Sequence, residues 1–183
     1  MADLILVRHT RPDVNPGVCY GKLDVPLAPT WSADIDACLS QVPRATRVYS
    51  SPSTRCRVMA ESLCRRDCQP LQLDERLLEV GFGKWEGLPW DTIPREELDA
   101  WAQNIDEYAP GDGESLAMVW KRTNSFCDDL RLDAEDIVVV VTHHGPIRAI
   151  AARFEQRGKD TFFDLTIPYG ITWHRTIGSE YLR

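Results

Sequence analysis

Five β-branched residues in succession, Ile137-Val138-Val139-Val140-Val141, constrain this chain more than any other stretch of it. Branching at Cβ stiffens χ1 and favours the strand, and an apolar run without polar alternation fits a strand covered on both faces. A second such run, Leu4-Ile5-Leu6-Val7, lies near the start. Strands covered on both faces need helices above and below, so these two runs predict a parallel sheet between helical layers. Each run stops abruptly at polar residues that include a histidine: Arg8-His9-Thr10-Arg11 after the first, Thr142-His143-His144-Gly145 after the second.

The rest of the chain supplies the remaining layers. Pro12, Pro16, Gly17, Gly21, Pro26 and Pro29 mark a polar loop, after which Thr30 or Ser32 caps a helix running to about Leu39. Arg47-Val48-Tyr49-Ser50 reads as a strand halted by Ser51-Pro52, and Val58, Met59 and Leu63 give Ser53 to Arg66 the apolar stripe of an amphipathic helix. A short strand near Leu71 to Leu73 precedes a loop holding Glu79, Gly81, Gly83 and Gly87. A helix is predicted between Pro94 and Trp101, and the turn Ala109 to Ser115 leads into a longer helix ending near Leu132. Pro146 to Phe154 reads as a helix with proline in its first turn, and Ile171 to Thr176 as a last strand. With strands alternating with helices, and neither repeats nor a low-complexity linker, the expectation is one α/β domain over residues 1–183, a three-layer α/β/α sandwich with a mostly parallel central sheet.

Ligands of such sheets bind beyond the carboxyl ends of the strands. There the chain delivers Arg8 and His9, then Ser51-Pro52 with Arg55 one turn later, then His143 with Arg148 beyond. A net charge of -7 removes any global basic footprint for nucleic acid or an anionic membrane, so an anion site has to gather its arginines locally. Planar guanidinium forks match a phosphate dianion, and the helix opening after His143 adds its positive end. Phosphoryl transfer further needs a nucleophile and a proton for the leaving oxygen. His9, flanked by arginines, is biased toward its neutral form, and Glu79, among Leu77, Leu78, Val80 and Phe82, is the candidate acid. Taken singly, Arg8 is also an ordinary strand-end ion-pair residue, His9 a hydrogen-bonded structural histidine, His143 a strand-end cap, and Glu79 and His144 solvated side chains. Their joint placement at three strand ends is what favours chemistry.

No apolar run reaches the roughly 18 residues of a membrane span. Met1-Ala2-Asp3-Leu4 lacks a basic region and a cleavage site, so a cytoplasmic location is expected, with the six cysteines as reduced thiols. Cys64 and Cys68, four apart without histidines nearby, make a poor zinc site, and neither metal nor cofactor is expected. The expected partner is a small-molecule phosphate ester, with no nucleic acid and no membrane, the protein being a monomer or homodimer.

The chain resembles the histidine phosphatase superfamily, in the branch similar to cofactor-dependent phosphoglycerate mutases and α-ribazole phosphatases. Arg8-His9-Thr10 resembles the family's Arg-His-Gly, and Ser51-Pro52-Ser53-Thr54-Arg55 its Ser-Pro-x-x-Arg. Glu79 with Phe82-Gly83-Lys84-Trp85-Glu86-Gly87, Pro110 to Ser115, and Thr142 to Arg148 are similar to three further blocks, in order over residues 4 to 148. The resemblance implies a metal-free site in which His9 is the phosphorylated nucleophile and Glu79 the proton donor. Arg8, Arg55 and His143 would hold phosphoryl oxygens, with Asn15 and His144 as further substrate contacts. Thr10 in place of glycine and His144 in place of a small residue depart from the pattern, and both are expected to reshape the pocket mouth. The short span between Arg55 and His143 favours hydrolysis over a mutase-type isomerisation. Residues 11 to 27 are similar to α-ribazole 5′-phosphate phosphatases of cobalamin biosynthesis, a broad-specificity sugar or nucleotide phosphatase being the second reading. Two other classes stay open: a metal-dependent hydrolase, which arginines beside a dication disfavour, and a non-catalytic phospholigand-binding module, which the presence of the complete residue set disfavours.

Overall fold

In the computed structural model, which describes residues 1–178, ten helices and strands follow one another, joined by loops and short 3-10 turns. The order is β1 (Ala2–Arg8), α1 (Trp31–Gln41), β2 (Arg47–Ser50), α2 (Thr54–Asp67), β3 (Leu71–Leu73), α3 (Arg95–Gln103), α4 (Leu116–Asp129), β4 (Ile137–Thr142), α5 (His144–Phe154) and β5 (Thr172–Ile177). The sheet order is β3-β2-β4-β1-β5, parallel throughout except for β5, which pairs antiparallel with β1 at the edge. The two apolar runs that predicted the sheet are its two central neighbours.

Successive side chains of a strand face opposite ways, and both runs split accordingly. Leu4, Leu6, Val138 and Val140 pack with Phe126 of α4 and Ile147, Ile150 and Phe154 of α5. Ile5, Val7, Val139 and Val141 pack with Ile35 and Cys38 of α1 and Met59 and Leu63 of α2. Helices cover both faces, which is the three-layer arrangement. Each such aliphatic side chain contributes about 1.5–3 kcal/mol by leaving water, so a charged residue at Val139 or Val140 would break the sheet at its centre.

Two element ends differ from expectation. Helix α4 stops at Asp129 because Leu130 takes extended backbone, and the alternation this starts buries both Leu130 and Leu132 in the core. Helix α5 starts at His144, two residues before Pro146, with His143 as its N-cap in extended conformation. The turn that opens α4 is capped by Ser115, whose Oγ accepts from Met118 N–H.

A smaller cluster lies under the segment between β3 and α4, where Cys19, Trp85 and Ile93 are buried against Phe82, Trp90, Leu98, Trp101 and Tyr108. It anchors the polar loop after β1. Cys19 N–H donates to Leu88 O, Gly87 N–H to Cys19 O and Trp90 N–H to Gly17 O, each at 2.8 Å.

Candidate active site

The parallel register sets the site. Arg8 of β1 pairs with Thr142 of β4, so the next residues, His9 and His143, leave adjacent strands side by side at the same edge. Backbone bonds continue one step past the strands: His9 N–H donates to Thr142 O at 3.1 Å and Ser51 N–H to Val141 O at 3.0 Å. The two imidazoles meet edge to face with ring centroids 4.9 Å apart.

His9 is 2% exposed and His143 0%. His9 Nδ1 lies 2.6 Å from the Thr10 carbonyl oxygen. A carbonyl only accepts, so Nδ1 carries the ring proton and Nε2 holds the free lone pair. Burial first, and then the Arg55 charge, pushes the His9 pKa well below its ordinary value, against the opposing pull of the Thr10 carbonyl. The neutral form was expected from the arginines alone; burial is the larger cause. His143 is likewise held uncharged, by burial and then by His9 and Arg55. His143 Nε2 lies 2.8 Å from Ser51 Oγ, which also accepts from Ser53 N–H at 3.4 Å.

Arg55, the second residue of α2, is 0% exposed. Its Nη1 donates to Leu23 O at 2.8 Å and its Nη2 to Gly21 O at 2.6 Å. Gly21 has no alternative here, since a Cβ would run into the Val80 carbonyl. Arg8 Nη1 donates to Ile167 O at 2.7 Å, and Tyr169 lies over its guanidinium at 3.9 Å. Among the described residues, the Nε atoms of both arginines are buried without a hydrogen-bond partner. Two orphaned cationic N–H groups beside a pair of neutral histidines are what an anion would satisfy.

Glu79 Oε1 accepts from Val80 N–H and from Gly145 N–H, each at 3.0 Å. A Cβ at position 145 would come within 2.5 Å of that oxygen, so glycine there makes room for the carboxylate. At the opening of α5 the Gly145 N–H is thus taken by Glu79, and Pro146, its third residue, has no N–H at all. The loop bearing Glu79 is itself clamped. Arg122 donates to Glu79 O (3.0 Å) and Arg76 O (2.6 Å) and grips Glu114, whose Oε2 takes Gly81 N–H at 3.0 Å. Burial pushes the Glu114 carboxyl up, but Arg122, Gly81 N–H and Lys22 outweigh it and hold it below its ordinary value.

A cavity of about 350 Å³ opens from Arg8 and His9 past Glu79, His144 and Arg148 toward an aromatic rim. Arg55 and His143 lie deeper and do not line it. Tyr169, with its ring 5.4 Å from that of His9, bonds through its hydroxyl to that of Tyr20 at 2.7 Å, so two loops meet over the phosphoryl end. Among the described residues, no group of three or more histidine, cysteine and carboxylate side chains is placed to hold a metal ion. No helix among them is long and apolar enough to cross a membrane.

The fold therefore gathers Arg8, His9, Arg55, Glu79, His143 and His144 in one region. It does not bring Asn15, which is exposed on its loop and lines no part of the cavity. His144 is half-buried, with its Nε2 between Leu165 O and Ile167 N–H; burial, then Arg148 and Arg8, lower its pKa to about 4. Thr10 does not shape the mouth as expected: it is fully buried, its hydroxyl donating to the Arg55 carbonyl at 3.5 Å. Sequence reading missed the whole contribution of residues 162–169, although Phe162-Phe163 and Pro168-Tyr169-Gly170 are aromatic turn signals. It also missed Trp90 and Trp101.

Residues 4–175 match the family described as histidine phosphatase superfamily (branch 1). Phosphoserine phosphatase 1 of Hydrogenobacter thermophilus is 29% identical over 157 residues, covering 82% of this chain and 74% of that one. Glucosyl-3-phosphoglycerate phosphatase of Mycolicibacterium vanbaalenii is 28% identical over 163 residues, covering 81% and 72%. The crystal structure of the α-ribazole phosphatase of Shigella flexneri superposes with a TM-score of 0.87 at 20% identity, covering 99% of this chain and 94% of that one.

Proposed function

The chain belongs to the histidine phosphatase superfamily and is a phosphatase, and on that footing we propose that it hydrolyses a small phosphate monoester by way of a phosphohistidine at His9. The observation that carries this reading is the tautomer of His9: Nδ1–H tied to the Thr10 carbonyl, Nε2 unprotonated, the ring buried beside His143 and the orphaned Nε atoms of Arg8 and Arg55.

In the first step His9 Nε2 attacks phosphorus, the bond from phosphorus to the ester oxygen breaks, and protonated Glu79 gives its proton to the departing alkoxide. In the second, water attacks the phosphohistidine, the P–N bond breaks, and Glu79 takes a proton from the water. Ester and water become alcohol and phosphate, with the enzyme restored. Arg8, Arg55 and His143 stabilise the equatorial oxygens as charge builds on them. Access to Arg55 and His143 requires the Tyr20–Tyr169 pair to part.

For the substrate we favour α-ribazole 5′-phosphate, supported by the likeness of residues 11 to 27 and by the shared fold. Its relatives named for phosphoserine and glucosyl-3-phosphoglycerate keep a sugar or amino acid ester as the alternative. A single domain over residues 1–183 in the cytoplasm completes the reading.

His9→Ala tests it. Turnover of every monoester and incorporation of labelled phosphate into the protein are both expected to vanish while circular dichroism stays native; hydrolysis persisting in that variant would refute the phosphohistidine.

A further inference from the structure

Beyond Arg8 and His9 the cavity is far larger than a phosphoryl group needs, and its walls are aromatic. Among its lining residues the Trp90 and Trp101 rings lie parallel, planes 11° apart and centroids 6.0 Å apart. Phe82 stands edge-on to both, at 5.6 and 5.9 Å. A second aromatic pair, Phe162 and Phe163, meets at 5.1 Å, with the Arg148 guanidinium over both rings at 5.6 and 5.3 Å. Phe163 is 52% exposed at the mouth, an aromatic residue left in water beside a pocket.

Apart from Arg8 and Glu79 at the phosphoryl end, the charged groups of the cavity already have partners in the protein. Glu114 has both oxygens bonded, to Arg122, Gly81 N–H and Lys22. Arg148 gives its Nε to Leu165 O at 2.7 Å and lays its plane against phenylalanine. His144 is neutral near pH 7 and bonded to backbone. The ammonium of an amino acid ester would have to compete with Arg122 and Lys22 for Glu114, whereas a flat apolar group would meet the aromatic rings that line the cavity.

We propose, resting on the phosphatase reading above, that this cavity is the leaving-group subsite and selects phosphate monoesters whose alcohol carries a flat aromatic ring system, seated against the Trp90–Trp101 pair and Phe163. It binds the ring, and the phosphoryl end does the chemistry.

Naphthylethyl phosphate and ethyl phosphate are both primary alkyl esters with closely matched leaving oxygens, so comparing them isolates ring binding, and phosphoserine adds a charged alcohol. Naphthylethyl phosphate is expected to exceed ethyl phosphate in kcat/KM by roughly tenfold or more, through KM, the discrimination an apolar pocket gives. Phe163→Ala, at the rim, should cut that ratio at least threefold, and Trp101→Leu provides a second variant if the first fails to fold. Equal kcat/KM for the two, a ratio unmoved by folded variants, or phosphoserine ahead of naphthylethyl phosphate would overturn the subsite. The matching phosphonates, titrated by calorimetry, repeat the comparison without turnover. Tenfold tighter naphthylethyl phosphonate on a protein that never takes phosphate label would keep the subsite and sink the phosphohistidine; equal binding would sink the subsite alone.

Discussion

The two ends of the cavity are built differently. At the phosphoryl end the histidines and Arg55 are held by backbone that the sheet register determines: His9 and His143 one step beyond paired strand residues, Ser51 likewise, and Arg55 in the first turn of the helix that follows. At the other end the rings stand on loops and on a satellite cluster away from the sheet. The phosphoryl end is buried and closely bonded, while the distant rim exposes Phe163. A fold divided this way keeps one reaction while its choice of alcohol is free to vary, because loop residues change without disturbing the strands.

Substitutions at the two ends should therefore separate in kinetics. Arg55→Met is expected to lower kcat by roughly 10²–10³-fold for every monoester, the scale for losing one charge-stabilising donor. It should also weaken vanadate inhibition, because Arg55 serves the phosphoryl group whatever alcohol is attached. A loss confined to one ester would break the division. Glu79→Gln should cost about 10²-fold on alkyl esters and much less on nitrophenyl phosphate, whose leaving oxygen needs little protonation. Equal slowing of both would remove Glu79 from the acid role.

The same division accounts for what the sequence disclosed. The apolar runs at residues 4–7 and 137–141 stand out from the rest of the chain, so the sheet centre was plain, and with it the strand-end positions of His9 and His143. Their side-by-side placement needed only the register. Asn15 and Thr10 were misjudged because a loop's course depends on distant partners: the 17–19 stretch pairs with 88–90, leaving Asn15 outside, and Thr10 turns inward to the Arg55 carbonyl. The rings at 90, 101, 162 and 163 carry no local period or spacing that reveals a shared cavity; only tertiary packing joins them. Helix α4 was read too long because Leu130 and Leu132 continue an apolar pattern that suits either a helix or an extended segment.

Acid should find the phosphoryl end first. His9 and His143 are uncharged in the fold through burial, and their pKa values lie well below the ordinary 6.5 they regain on unfolding. The unfolded chain thus binds more protons below that pH, so this stability is fully present above 6.5 and is lost as pH falls toward the folded values, at up to about 1.4 kcal/mol per pH unit for each histidine. His144, lowered to about 4, adds a third such group, so urea unfolding at pH 7.5, 6.5 and 5.5 measures a slope that His143→Asn should reduce by about a third between the lower two. A flat profile would mean that the histidines become charged inside the fold.

The smallest effect tests whether the clamp behind Glu79 belongs to the chemistry or to the framework. The Glu114 side chain reaches the catalytic loop through Gly81 N–H and through Arg122, which in turn holds the Glu79 carbonyl, and its backbone N–H donates to Gly81 O at 2.7 Å. Glu114→Gln keeps the shape and the acceptor for Gly81 but gives up the charge on Arg122, so Glu79 should shift slightly rather than leave. We expect a three- to tenfold fall in kcat, the scale of misplacing a group by a fraction of an ångström, seen on alkyl esters and almost absent on nitrophenyl phosphate. That split is the signature of a residue acting through Glu79, since a loosened fold would slow both esters alike, and a KM rise with kcat unchanged would mean that Glu114, which lines the cavity, acts by binding the alcohol instead.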